Sequence, residues 1–289
     1  MNESLSEWLA LREAADWAAR SERLVRRVTE VLSPVGTVRG LDLCTGTGSN
    51  IRYLIERLPR HQRWLVVDRD AALLEEVPTR LSTWAQARNC TVRTERHVSH
   101  IRSADLDCDV ETREMNLTRL GAELFEGRTL VTASALLDLV SESWLQALAD
   151  HCRAVGAVAL FSITYDGRSS CDPVEPEDDM VRELMNRHQR TDKGLGGPAA
   201  GPEGSAVAER VFEAAGYQVE RAASDWSLGP SEQEFQRQLI EGWAHAASEV
   251  APDQSKMIAD WLTRRLAQVE SGRSRIVVNH VDMMAWLSR

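Results

Sequence analysis

The sequence predicts an α/β fold: a mostly parallel sheet of seven strands with helices on both faces, an N-terminal helix, and a helical insertion before the last strand. Three observations predict it. Short apolar runs alternate with amphipathic helical patterns from about residue 38 onward, the order expected of a parallel sheet with crossover helices. The first such run, Val38 to Leu43, passes through a turn bearing Gly46 and Gly48 into a helical pattern. The composition is ordinary for a globular chain: of 289 residues, 43% are hydrophobic and 27% charged, enough for one large domain or two modest ones.

The elements follow in order. Residues 5 to 32 read as one long amphipathic helix, with Leu5, Trp8 and Leu9 and then Leu24, Val25, Val28, Val31 and Leu32 at helical spacing. Ser33-Pro34-Val35-Gly36 ends it. After the first strand come a helix from about Ser49 to Leu58, a strand from Arg63 to Asp68, a helix from Ala71 to Arg88, and a third strand from Thr91 to Arg96. Thr129 to Ala133 and Ala157 to Thr164 read as the fourth and fifth strands, with a helix from Glu142 to Arg153 between them. Glu203 to Ala215 reads as a helix, Tyr217 to Arg221 as a strand, 231–249 and 253–270 as two inserted helices, and Arg275 onward as the last strand. The acidic stretch Asp105 to Glu111 reads as a solvated loop. The segment 193–204 carries five glycines and two prolines and reads as a loop, either a mobile lid or a plain surface connection. The organisation expected is an N-terminal helical cover, 1–36, and a main domain, 37–289, with cover elements at about 166–204 and 230–272.

The formal charge is −10, which argues against a general nucleic-acid binder. The N-terminus has no basic region followed by an apolar core, and no run of about 18 apolar residues occurs, so neither secretion nor a membrane span is expected. Five widely spaced cysteines without a CxxC fit a reduced, cytoplasmic setting. His97, His100 and Cys108 lack a fourth ligand, so no metal is expected.

The chemistry-bearing segment is Asp42-Leu43-Cys44-Thr45-Gly46-Thr47-Gly48-Ser49-Asn50. A strand that runs through Gly-x-Gly into a helix brings backbone close to a ligand at the C-terminal end of the sheet. The dinucleotide fingerprint fails, because its third glycine position holds Ile51, and no P-loop is present. The segment resembles instead the acidic-x-Gly-x-Gly-x-Gly motif of class I S-adenosylmethionine-dependent methyltransferases, with Asp42, Gly46 and Gly48 matching and Cys44 in place of the first glycine. Asp68, at the end of the second strand, stands where that family holds the ribose hydroxyls; taken alone it also fits a strand end or a helix cap.

The resemblance covers about 38–165 and implies a Rossmann-like fold, S-adenosylmethionine as methyl donor and S-adenosylhomocysteine as product. It implies cofactor contacts at Asp42, Cys44, Thr45, Gly46, Gly48, Asp68 and Arg69, at Asn116 and Leu117 beside the adenine, and at Ser134 after the fourth strand. Related enzymes cover the cofactor with an N-terminal helix, so Arg20, one turn from Asp16, is a candidate for the methionyl carboxylate.

Methyl transfer from a sulfonium is mainly a positioning problem and needs a base only for a protonated nucleophile. His188, in a dense polar string before the Gly-rich segment, and Asp138, after the fourth strand, are the candidate catalytic residues. Tyr165 and Asp166, after the fifth strand, and Trp226 and Trp243, near the inserted helices, are candidates for the acceptor site. The motifs of amino- and cytosine-carbon methylation are absent from Ser134 to Asp138. A small-molecule acceptor is the expectation; a protein or tRNA acceptor, and a non-catalytic binding scaffold, are the alternatives. Oligomeric state is not legible.

Overall fold

The computed structural model describes residues 5–288. Helices α1 (Leu5–Ala19) and α2 (Glu22–Leu32) lead into β1 (Val38–Leu43), α3 (Ser49–Ile55), β2 (His61–Asp68) and α4 (Ala71–Gln86). Next come β3 (Thr91–Glu95), β4 (Val98–Arg102), β5 (Asp107–Glu114), β6 (Leu130–Ser134), α5 (Glu142–Val155), β7 (Val158–Asp172) and α6 (Asp178–Gln189). The chain ends with α7 (Gly204–Ala214), β8 (Gln218–Ala223), β9 (Trp226–Leu228), α8 (Gln233–Val250), α9 (Ser255–Glu270) and β10 (Arg275–Trp286).

One sheet of ten strands, not seven, runs through the molecule in the order β3-β4-β5-β2-β1-β6-β7-β10-β8, with β9 beside β10. Its centre, β5-β2-β1-β6-β7, is parallel, and the flanking pairs are antiparallel. Chain order reverses between β1 and β6, which opens a crevice at their C-terminal ends. Side-chain alternation sorts the strand residues. Leu41, Leu43, Leu65 and Val67 face a core shared with α5 and α7, while Val38, Trp64 and Val66 face a core shared with α2, α3 and α4.

The structure corrects three further expectations. The parallel third strand is β5, drawn from the stretch expected to be a solvated loop, whereas Thr91–Glu95 is an exposed antiparallel edge. Alternation explains the inversion: Cys108 and Val110 turn into the core, while Asp107 and Asp109 are held by Arg63 and Arg102 across neighbouring strands. The N-terminal helix breaks at Arg20-Ser21, because the Ser21 hydroxyl caps α2 and its N–H donates to Asp282 Oδ2 at 2.8 Å. The fifth strand, β7, extends to Asp172, so Tyr165 and Asp166 lie within it and not after it. The candidate string around His188 begins inside α6.

Beyond the sheet, the long ends of β7 and β10 carry a third core built with α6, α8, α9 and β9, onto which the Trp8, Leu11 and Ala15 face of α1 packs. Arg265, buried in α9, ties this layer together through its ion pair with Asp178 of α6. The Gly-rich segment is ordered by backbone bonds to the loop after β6: Gly201 N–H to Asp138, Ala200 N–H to Val140, and Ser141 N–H to the Leu195 carbonyl. Gly204 allows this approach, since a Cβ there would stand 2.4 Å from the Leu137 carbonyl oxygen.

Candidate active site

A cavity of about 540 Å³ occupies the crevice over β1, β2 and β6. Its floor is the β1 turn, Cys44-Thr45-Gly46. Its sides are Asp68, Arg69 and Asp70 after β2, Met115 and Leu117 after β5, and Ser134 to Leu136 with Leu139 after β6. Its roof is one face of α1, where Leu5, Trp8, Leu9, Arg12, Asp16 and Arg20 recur at helical spacing. Lys193 and Leu195 of the Gly-rich segment close the remaining side.

The backbone is bent sharply at the rim. Cys44, at φ 52°, and Ala135, at φ 53°, adopt left-handed geometry where β1 and β6 end. Non-glycine residues hold that geometry at a cost of about 1–2 kcal/mol, so the surrounding bonds must enforce it. One such bond runs from Thr45 N–H to the Val67 carbonyl, 3.0 Å. Gly46, at φ 55°, holds left-handed geometry that favours glycine, and a Cβ there would press on Leu9 Cδ1 at 2.9 Å.

Asp68 organises this turn from the neighbouring strand. Its Oδ2 accepts the Gly46 N–H at 2.8 Å and its Oδ1 accepts the Asp70 N–H at 3.0 Å. Each carboxylate oxygen keeps a further lone pair, and Asp68 is part of the cavity lining.

Asp42 does not line the cavity. It lies fully buried beneath the turn, accepting Thr45 Oγ1–H at 2.5 Å and Asn50 Nδ2–H at 2.6 Å. Burial pushes its carboxyl up to about 7. Gly48 is likewise beneath the turn, as the left-handed residue before α3.

Arg20 reaches the cavity by a path the sequence did not indicate. The expected pairing with Asp16 is replaced: Asp16 takes Arg12 at 2.9 Å and the Trp226 Nε1–H at 2.9 Å. Arg20 instead donates to Asn50 Oδ1 at 2.6 Å and to Ser162 Oγ at 2.9 Å, while its buried Nε has no partner. The Asp16 expectation failed because that carboxylate turns back one turn of α1 to Arg12, where the guanidinium also stacks 4.9 Å over the Trp226 ring. Glu13 to Arg52 at 2.6 Å, and Trp17 Nε1–H to Ser49 at 3.0 Å, pin the same helix to α3.

The other candidates divide. Asn116 is exposed and spends its Oδ1 on the Thr118 N–H and hydroxyl, whereas its neighbours Met115 and Leu117 line the wall. Asp138 is buried behind the lining with an unpartnered Oδ1, and burial pushes its carboxyl up to about 6. His188 lies outside the lining, held by Glu249 at 2.8 Å. Tyr165 is buried with its hydroxyl donating to Asn186 at 3.0 Å, and Asp166 pairs with Arg168. Trp226 stands behind Arg12, 4.5 Å from the His280 ring, and burial holds His280 down at about 3. Trp243 is in the third core, away from the cavity. Helices α8 and α9 contribute no residue to the lining. Trp8, Arg12 and Lys193 line it but were not among the candidates; the helical spacing of Leu5, Trp8, Leu9 and Arg12 was the available signal for the first two.

No protein-family model and no curated protein matches the chain. Solved structures are similar to it at low identity. A protein from Bacillus halodurans C-125, provisionally assigned as a methyltransferase, is 12% identical, with 92% of this chain and 99% of that one covered and a TM-score of 0.48. A geranyl diphosphate methyltransferase in complex with S-adenosylmethionine is 11% identical, with 100% and 93% covered and a TM-score of 0.44. A mycolic acid cyclopropane synthase complexed with S-adenosylhomocysteine is 10% identical, with 92% and 84% covered and a TM-score of 0.44.

Proposed function

We propose that this chain is an S-adenosylmethionine-dependent methyltransferase acting on a small-molecule acceptor. One observation carries the reading: a single cavity gathers the Cys44-Thr45-Gly46 turn, the Asp68 carboxylate of the next strand, Leu117, Ser134, and the side chain of Arg20. Each suits a different part of that ligand. Asp68 and the adjoining backbone suit ribose hydroxyls, since a carboxylate accepts two O–H donors. Met115, Leu117 and Leu136 offer an apolar slot for a flat ring. The buried Arg20 guanidinium suits a carboxylate, because its two hydrogen bonds go to the uncharged Asn50 and Ser162 and a guanidinium pairs well with a carboxylate. Gly46 leaves the close approach that such a ligand needs.

S-adenosylmethionine held by Asp68, the β1 turn and Arg20 would supply an already activated methyl group. The chain's own work is then orientation and exclusion of water. Helix α1, pinned through Glu13, Trp17 and Arg20, roofs the site with Leu5, Trp8 and Leu9. The Cys44 thiol, pushed up to about 12 by burial, stays protonated and is no nucleophile. His188 and Asp138 stand outside the lining, so neither supports a base in direct contact with an acceptor in this arrangement. The free thiols of all five cysteines suit a reducing cytoplasm.

Titration calorimetry with S-adenosylmethionine, S-adenosylhomocysteine and NAD tests the reading. Micromolar binding of the first two without NAD supports it. Absence of binding to both, by a folded chain, overturns it.

A further inference from the structure

Arg20 can meet a ligand carboxylate only if its guanidinium is aimed. Nη1 donates to Asn50 Oδ1 at 2.6 Å and Nη2 to Ser162 Oγ at 2.9 Å. Arg20 sits at the break between α1 and α2, and Ser162 lies in β7. One buried carboxylate outside the cavity lining holds both of these backbones.

That carboxylate is Asp282 of β10. Its Oδ2 accepts the Ser21 N–H at 2.8 Å, and its Oδ1 accepts the Ile163 N–H at 2.9 Å. Ser21 follows Arg20 in the chain, and Ile163 follows Ser162. Asp282 therefore grips the residue next to each of the two side chains that meet.

Strand pairing shows what this grip does. Val281 pairs with Thr164 and Met283 with Phe161, so Ser162 and Ile163 stand opposite the single residue Asp282. Two residues against one form a β-bulge, which re-aims a side chain out of the regular alternation. Ile163 holds φ 56°, left-handed geometry that a β-branched residue keeps only where its surroundings enforce it. The same bulge offers the Ser162 carbonyl to the Ala135 N–H at the cavity rim, 2.9 Å away.

Charge alone would give Asp282 the opposite effect. Among neighbouring charges it acts most strongly on Arg20, and a nearby anion competes with a ligand carboxylate for the guanidinium. The two roles thus predict changes of opposite sign. Granted the S-adenosylmethionine reading, we propose that Asp282 is a positioning residue: by holding the α1–α2 break and the β7 bulge, it sets Arg20 against Ser162 and aims the guanidinium at the ligand's carboxylate.

The test compares S-adenosylhomocysteine with its decarboxylated analogue, which lacks only that carboxylate, by calorimetry on the full chain. The wild type is expected to prefer S-adenosylhomocysteine by about tenfold or more, the scale of a hydrogen bond to a charged group. Asp282→Asn keeps the size but accepts through one oxygen instead of two. It is expected to cut the preference by about threefold or more, as for coupled members of one hydrogen-bond network, with affinity for the analogue unchanged. In an Arg20→Met background the same substitution is expected to leave the ratio of the two affinities where Arg20→Met put it. Equal losses on both ligands, an undiminished or increased preference, or a loss that persists without Arg20 overturns the assignment. Where Asp282→Asn does not fold, Ser162→Ala reads the same arrangement from its other end: a reduced preference is expected, and an unchanged one overturns the assignment. Wild-type binding of both ligands alike overturns the Arg20 contact and this assignment but leaves the cavity as a nucleoside site. Wild-type binding of neither overturns the proposed function and the assignment that rests on it.

Discussion

Arg20 and Asn50 stand 30 residues apart in sequence, yet Nη1 of the first donates to Oδ1 of the second at 2.6 Å. Asn50 in turn donates to Asp42 and to Thr132 Oγ1, at 2.6 and 3.1 Å. One amide thus links the carboxylate under the β1 turn, the neighbouring strand β6 and the guanidinium of the roof helix. The amide fits because it alone offers an acceptor to Arg20 and two donors to the oxygens. Arg20→Met removes the cation with little change in stem volume. It is expected to weaken S-adenosylmethionine binding by about 1.5–3 kcal/mol, the range of hydrogen bonds to charged groups. Calorimetry at equal ionic strength checks this, and unchanged affinity excludes a carboxylate contact.

Asp68→Ala is expected to weaken the same binding by about 2–3 kcal/mol, roughly 30- to 150-fold. Part of that loss reflects the turn itself, because Asp68 also holds the Gly46 N–H. Asp68→Asn keeps an acceptor for that N–H and loses the charge, so its affinity is expected to fall between the two. Wild-type affinity in Asp68→Ala excludes the ribose role.

Asp138 makes stability depend on pH. Its folded carboxyl lies at about 6, against 3.8 for the ordinary group. Between those values the folded chain holds a proton that the unfolded chain has released, so stability contributed by this group is full below about pH 4 and is lost as pH rises through 6. Asp138→Asn removes the titration. Its melting should match wild type near pH 4 and exceed it at about pH 8 by about 2–3 kcal/mol, at 1.36 kcal/mol per unit. A wild-type advantage at the higher pH shows that the ionised form is stabilised in the fold.

Cys44 occupies a left-handed position at φ 52°. Relief of that geometry by Cys44→Gly is worth about 1–2 kcal/mol, offset by about 0.5–1 kcal/mol of added chain entropy. The expected net change is between zero and about 1.5 kcal/mol of stabilisation. Cys44→Val, β-branched at the same φ, is expected to lose more than 1 kcal/mol, of order the strain at such positions. Denaturant melts of both variants decide it; a clear loss in Cys44→Gly means the thiol's packing outweighs the strain.

What was legible in the sequence was local. The β1 turn and Asp68 announce themselves because a strand followed by glycines and a helix, and an acid at the next strand's end, are fixed by spacing along one chain. The helices of the insertion read correctly to within a few residues for the same reason, since a 3.6-residue period needs no partner. Strand β5 was not legible. Its carboxylates look solvated until Arg63 and Arg102 arrive from other strands to pair them.

The sequence by itself therefore determined the α/β alternation, the cavity-lining turn and its acid, because each depends on neighbours within a few residues. Only the tertiary structure decided which polar residues meet in the cavity. It turned Asp16 to Arg12 and sent Arg20 to Asn50 and Ser162. It left His188 with Glu249, and brought Lys193 to the cavity wall. Those choices are made by which charged and hydrogen-bonding partners survive burial together, and burial is a property of the packed chain.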